Sequence, residues 1–277
     1  MKGFTRIVLW LGLMAVLTLM AMGLWYVCTG GSQSTTSLKW LQFMQTIGTF
    51  LLPAILGAWL WDAGHKPFRW LRMDQSVEWP QFVLAVILMV CAIPAINLLA
   101  DLNSRVQLPE SLDFIEQIFK QQEEAAAQLT ERFLKADTVW GLLVNIGLMA
   151  LLPALSEEVS FRGTLQQIIG NRHLAIWLTA FIFSAIHMQF YGFIPRMLMG
   201  AMFGYIFVWT GNLWVPIVMH FTNNGIAVVT YYLLGEGMDG KSYADTFGAG
   251  TTWWVGVLSL LITSLGLLIF YRRTHTR

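Results

Sequence analysis

Glu157-Glu158-Val-Ser-Phe-Arg162 puts two carboxylates and a guanidinium within six residues of a segment otherwise apolar enough to lie in lipid. On insertion scales an ionised side chain costs roughly 2.5–3.5 kcal/mol at the bilayer centre. Three of them together need a use. Two further polar pairs occur in downstream apolar segments, Phe183…His187 and His220…Asn224. Taken singly, a buried His or Asn in a membrane helix is often a packing or hydrogen-bonding residue. Glu, His, His and Asn in successive apolar helices build a polar site inside the membrane.

Helical geometry divides the labour. At about 100° per residue, Glu158 and Arg162 lie about 40° apart and can pair on one face, whereas Glu157 points about 100° from Glu158. Glu158 is therefore expected to support Arg162, leaving Glu157 free to meet another helix. Glu157 precedes a turn at Asn171 by about as many residues as His187 follows it, so an antiparallel pair rising ~1.5 Å per residue brings them to similar depth. His220 and Asn224 share a face by i,i+4 spacing. Two chemistries fit. Glu157 with His187 could serve as general base on a water while His220 and Asn224 bind an oxyanion. Alternatively, Glu157, His187 and His220 could hold a zinc ion that acidifies a water. Both end in hydrolysis of an acyl bond. Ser156, Ser160 and Ser184 lack the GxSxG setting of a serine nucleophile.

These residues need elements to carry them. The chain has 277 residues, 56% hydrophobic and 12% charged, about half the charge of a soluble domain. The fold class is all-α, a polytopic membrane helix bundle. Segments of about 20 apolar residues fall near 7–27, 41–62, 81–100, 138–169, 174–190, 192–210, 213–234 and 252–271, giving about eight transmembrane helices. Between the third and fourth, Leu112, Ile115, Phe119, Leu129 and Phe133 recur at helical spacing with Glu116–Lys120 and Glu131–Lys135 pairs, predicting an amphipathic surface helix over 109–135. Residues 1–137 then hold N-terminal spans and that helix, 138–234 the catalytic core, and 235–277 an outer loop and the last span. The loop positive charges (Lys2, Arg6, Lys66, Arg69, Arg72, Arg172, Arg272, Arg273, Arg277 against Lys39, Arg196, Lys241) place both termini inside; the membrane expected is a bacterial cytoplasmic one. Gly200 and Gly204 form a small-xxx-small motif, read as a helix contact. The two cysteines, Cys28 and Cys91, give neither a disulfide framework nor a CxxC metal pattern. Net charge is +1, without the basic stripe of a nucleic-acid binder. His65, His173 and His275 fall in loops or the tail.

Glu157-Glu158-x-x-x-Arg162, Phe183-x-x-x-His187 and His220-x-x-x-Asn224, in this order, resemble the signature motifs of the CPBP family. This is the family of CAAX prenyl proteases and bacteriocin-processing enzymes, also called type II CAAX endopeptidases or Abi proteins. The resemblance covers about 140–234. It implies an intramembrane endopeptidase acting on membrane-associated or lipid-modified proteins or peptides. By it, Glu157 and His187 activate water, His220 and Asn224 form the oxyanion site, and Glu158 and Arg162 support them. No cofactor is expected, since Asn224 is a poor zinc ligand and no third imidazole is available; the zinc set Glu157, His187, His220 is the alternative. A transporter or scaffold that keeps the polar cluster for structure is the competing class.

Overall fold

The computed structural model describes residues 3–76, 78–235 and 246–275. Much of the loop expected after 235 lies outside these residues, as do Lys2, Lys241 and Arg277. The molecule is a helical bundle: α1 (Gly3–Thr29), α2 (Thr35–Trp61), α3 (Trp79–Ser104), α4 (Asp113–Leu134), α5 (Val139–Ile169), α6 (Arg172–Ala185), α7 (Phe193–Thr210), α8 (Trp214–Leu234) and α9 (Trp253–His275). Each of the eight expected apolar segments is helical. Among the described residues six helices, α1, α2, α3, α5, α7 and α9, are long and apolar enough to cross a membrane. α8 carries His220, Thr222, Asn223, Asn224 and Gly225 in mid-length, which dilutes its hydropathy.

Two wide, π-type turns interrupt α2 and α5, at Ile47–Leu51 and Ile146–Leu151. Each lies just ahead of a proline, Pro53 and Pro153. A prolyl nitrogen has no N–H to donate, so the helix must widen or lose a bond there. Accordingly the Leu52 and Leu152 amides reach back five residues, to the carbonyls of Ile47 and Gly147. A third such turn, Phe161–Gln166, follows the two glutamates and carries Arg162.

The core is apolar and layered. Met89, Phe203, Ile206, Met219 and Phe270 join α3, α7, α8 and α9. Trp10, Trp61, Phe161, Leu165 and Phe183 join α1, α2, α5 and α6. Gly200 and Gly204 both face into the bundle: a Cβ at Gly200 would lie 3.0 Å from Arg162, and one at Gly204 2.8 Å from Gln166. Leu11, Leu19 and Met20 of α1, with Leu261 and Leu265 of α9, point outward as lipid-facing residues do.

α6 is shorter than its apolar sequence suggests. Hydropathy runs on to residue 190, but the helix ends at Ala185, and Met188 takes the left-handed conformation with φ 54°. Fourteen residues rise about 21 Å, short of the ~30 Å hydrocarbon core. The turn after α6 therefore lies at membrane depth, where irregular backbone survives only with its polar groups met by protein. They are met. Asn103 of α3 donates from Nδ2 to the Phe190 carbonyl at 3.0 Å and accepts from the Ile194 amide at 2.8 Å. Ser184 Oγ donates to the Phe193 carbonyl at 2.7 Å, and Arg196 holds the Gln189 side chain at 2.8 Å.

α4 lies over this turn. Phe119 stacks on Phe190 with centroids 4.9 Å apart and planes 4° from parallel. Burial pushes the Glu123 carboxyl up, opposed by Arg196 and by a bond from the Tyr191 amide. The expected Glu116–Lys120 and Glu131–Lys135 pairs form. Helix bounds differ slightly from expectation, because a 3-10 turn at Glu110–Leu112 separates Pro109 from the helix. Of the apolar stripe, Phe119 and Phe133 turn inward, while Leu112, Ile115 and Leu129 stay exposed beside Phe114. The inward face is Glu116, Phe119, Glu123, Ala126 and Phe133, so the helix is rotated toward its polar side and leaves an apolar flank suited to a bilayer surface.

Because Asn103 satisfies a half-buried acceptor and a half-buried donor of that turn, Asn103→Leu should strand both. The expected loss is about 1–3 kcal/mol for each stranded group, read as a lowered thermal midpoint in detergent. An unchanged midpoint would show that the turn does not depend on Asn103.

Candidate active site

Glu158 is the hub of the cluster. It and Arg162 are both fully buried, and Arg162 Nη1 donates to Glu158 Oε1 at 2.8 Å. Arg162 Nη2 donates to the Gly200 carbonyl at 2.8 Å, which the missing side chain of Gly200 allows. The guanidinium lies between two rings, 4.7 Å from the centroid of Phe183 and 5.5 Å from that of Phe203. Cation–π contact of this kind is worth most where water is excluded.

The same Glu158 Oε1 also accepts from His220 Nδ1 at 2.9 Å. A carboxylate paired with arginine can only accept, so the proton of the His220–Glu158 bond sits on Nδ1. Nε2 then faces Glu157, with 3.9 Å between it and Glu157 Oε2. That separation is too long for a direct hydrogen bond. It matches one water bridging the two atoms by bonds of about 2.8 Å. Glu157, with 15% of its side chain exposed, is the more open of the two glutamates. The His220 ring is fixed by Phe203, stacked at 5.5 Å, and by the edge of Phe183 at 6.2 Å.

His187 stands one phenyl ring away. Its ring lies 5.1 Å from Phe183, and its Nδ1–H donates to the Phe183 carbonyl at 2.8 Å, leaving Nε2 unprotonated in the neutral ring. It sits on the turn after α6, not within the helix. Asn224 shares the His220 face, but its amide turns toward α5. Its Nδ2 lies 3.5 Å from the Met149 carbonyl, and its Oδ1 accepts from Asn223 at 3.1 Å. Met149 is four residues before Pro153, so its carbonyl lacks the usual helical donor. At 3.5 Å the Asn224 bond is weak, and its amide can turn to another acceptor.

The structure thus joins Glu158, Arg162 and His220 directly, sets Glu157 3.9 Å from His220 and places His187 against the same phenyl ring. Sequence spacing assigned Glu158 to Arg162 alone; its bond to His220 comes from packing between α5 and α8. Asn103 and Arg196, which hold the turn bearing His187, were also not singled out by sequence. Their signal was a polar residue at the end of an apolar run, which many loops share. A catalytic zinc wants three protein ligands at about 2.0–2.2 Å. Among the described residues no three His, Cys, Asp or Glu side chains gather closely enough to hold a metal ion. The set Glu157, His187, His220 does not fit one in this arrangement.

Residues 139–226 match the family described as type II CAAX prenyl endopeptidase Rce1-like. The chain is also similar to the uncharacterized protein YpbD of Bacillus subtilis (strain 168), with 36% identity over 81 residues. That match takes in 28% of this chain and 40% of YpbD. No solved structure matches. The matched segment runs from the start of α5 to just past Asn224 and includes every residue of the cluster. The family is one of peptide hydrolases, and the helices around the segment make the chain an integral, multi-pass membrane protein. Over residues 139–226 the chain is thus similar to the Rce1-like type II CAAX prenyl endopeptidase family, and the whole cluster lies within that stretch.

Proposed function

We propose that the protein is an intramembrane endopeptidase that hydrolyses peptide bonds of membrane-associated or lipid-modified proteins and peptides. One observation carries this reading. Glu157 and His220 Nε2 lie 3.9 Å apart, close enough for one water beside them to bond both, with His220 locked from behind by Glu158. A carboxylate on one side of a water is a general base. Glu157 takes a proton from the water, whose oxygen attacks the peptide carbonyl, and the proton then passes to the leaving amine. His187, through its unprotonated Nε2, would assist Glu157 as base.

The carbonyl oxygen gains charge in this step and needs donors facing it. His220 supplies one through Nε2 when its ring carries both protons, with Nδ1 held on Glu158. The loosely held Nδ2 of Asn224 supplies the other. The role of Glu158 is to orient His220, as the buried aspartate orients the histidine of a serine protease. The loop charges favour both termini on the inside of a bacterial cytoplasmic membrane.

The direct test compares peptides released in membranes containing the wild-type chain with those containing Glu157→Gln. That variant keeps the shape and removes the base. It should accumulate normally and lose proteolysis by at least the ~100-fold typical of a missing general base. Identical peptide sets in both membranes would refute the peptidase reading.

The buried ion pair gives a second expectation. Arg162→Leu alone strands the Glu158 charge, and breaking one side of such a pair costs about 3–5 kcal/mol, so the protein should accumulate poorly. Adding Glu158→Leu removes the stranded charge and should restore accumulation, since apolar replacement of a buried pair is often neutral. Proteolysis should stay lost in the double variant, because His220 then has no acceptor for Nδ1. Recovery of activity together with abundance would show that Glu158 serves only stability.

The donor geometry makes a third. After exhaustive chelation the purified protein should still cleave a substrate found in the first experiment, and its zinc content should be well below one per chain. Loss of cleavage that added zinc restores would replace the glutamate mechanism with a metal-assisted one.

A further inference from the structure

A cavity of about 330 Å³ opens where the α5–α6 turn meets the loop after α2 and the end of α7. This is within the range of small-ligand sites. Its wall includes Arg72, Arg172, Gln166, Gln167, Phe207 and Val208, and no carboxylate. Nearby Arg69 is neutralised by Asp62 at 2.8 Å, but among the described residues neither Arg72 nor Arg172 forms an ion pair.

The wall is built in advance of any ligand. Arg72 takes a left-handed backbone with φ 57°, held by a bond from the Leu213 amide to its carbonyl at 3.0 Å. Its Nε donates to Gln167 Oε1 at 3.2 Å. Gln167 is itself fixed, donating to the carbonyls of Gly163 at 2.6 Å and Trp70 at 3.0 Å. The terminal nitrogens of Arg72 remain for an anion, and a guanidinium fork suits phosphate oxygens. Gln166 is 95% buried (5% exposed), donates to the Gly204 carbonyl at 3.1 Å, and has an Oε1 with no partner. Its carboxamide packs against Gly204 and closes the inner wall of the cavity. Leu174, Trp177, Leu178 and Phe181 are exposed along α6, which starts at this cavity, and give a path for acyl chains.

We propose that this cavity holds the headgroup of an anionic phospholipid, with the phosphate between Arg72 and Arg172. Basic pockets between membrane helices bind lipid headgroups by this chemistry. The apolar flank of α6 favours a lipid over free phosphate.

The full chain is reconstituted in nanodiscs of phosphatidylcholine with or without phosphatidylglycerol, then released for native mass spectrometry. Wild type should retain phosphatidylglycerol over phosphatidylcholine. Arg72→Gln with Arg172→Gln should lower that preference by about tenfold or more, on the scale of two arginine–headgroup contacts. An unchanged preference in the double variant overturns the proposal. Should the double variant not accumulate, Arg172→Gln carries the same comparison, since no intramolecular bond holds Arg172 among the described residues. In a second arm, inorganic phosphate is added to delipidated protein in detergent and the thermal midpoint is followed. Little shift with phosphate and a clear shift with phosphatidylglycerol supports the lipid. Equal shifts at equal concentration would overturn it in favour of free phosphate.

Discussion

A single carboxylate oxygen, Glu158 Oε1, holds the centre of this molecule by accepting from Arg162 and from His220 at once. Both donors come to it in a region without water, where an unpaired charge would cost several kcal/mol. The surroundings are arranged accordingly. Gly200 has no side chain, so its carbonyl can meet the guanidinium, and Phe183 and Phe203 cover the cation's faces. Even so the pair is not fully satisfied: Glu158 Oε2 and Arg162 Nε have no partner among the described residues. As a device for stability it is poor, because well-packed apolar residues would do as well. Its bond to His220 gives it another use, which is to fix where one proton sits.

The fixed proton organises the space beyond. With Nδ1 engaged, the only free nitrogen of His220 is directed at Glu157. Phe203 stacks on the ring and the edge of Phe183 faces it, so packing as well as the Glu158 bond orients it. His187 is held in the same way but from its own backbone, through the Phe183 carbonyl. Phe183 touches both imidazoles and the guanidinium. One phenyl ring thus sets the spacing of the polar groups that the proposed hydrolysis would need.

Local features were legible in the sequence because they depend on periodicity. The Glu158–Arg162 pair, the turn at Asn171 and the ion pairs of α4 all follow from i,i+4 spacing or a capping residue. Features that depend on how helices cross were not. The His220–Glu158 bond joins residues 62 apart in sequence, and no pattern within either helix implies it. The early end of α6 was hidden because hydropathy records apolar character, and Ile186, Phe190 and Phe193 continue it through a turn that is not helical. The rotation of α4 was hidden for a related reason. Its inward face includes Glu116 and Glu123, whose polar ends find Lys120, the Leu108 amide and the Tyr191 amide. An apolar-face rule cannot anticipate that.

Irregular backbone and candidate chemistry also share their supports. Three breaks from regular helix near the site expose a carbonyl or amide that a side chain from another part of the bundle meets: Asn103 at the turn after α6, Ser160 at the Phe50 carbonyl, Asn224 at the Met149 carbonyl. Ser160 and Asn224 stand on the helices that carry Glu157 and His220, and the Asn103 turn carries His187. Moving a functional side chain along its helix would therefore also uncover a buried polar group elsewhere, at a cost of about 1–3 kcal/mol. The prolines and the short α6 keep the positions of these residues in register across three helices, in a setting where loose backbone would otherwise have no water to satisfy it.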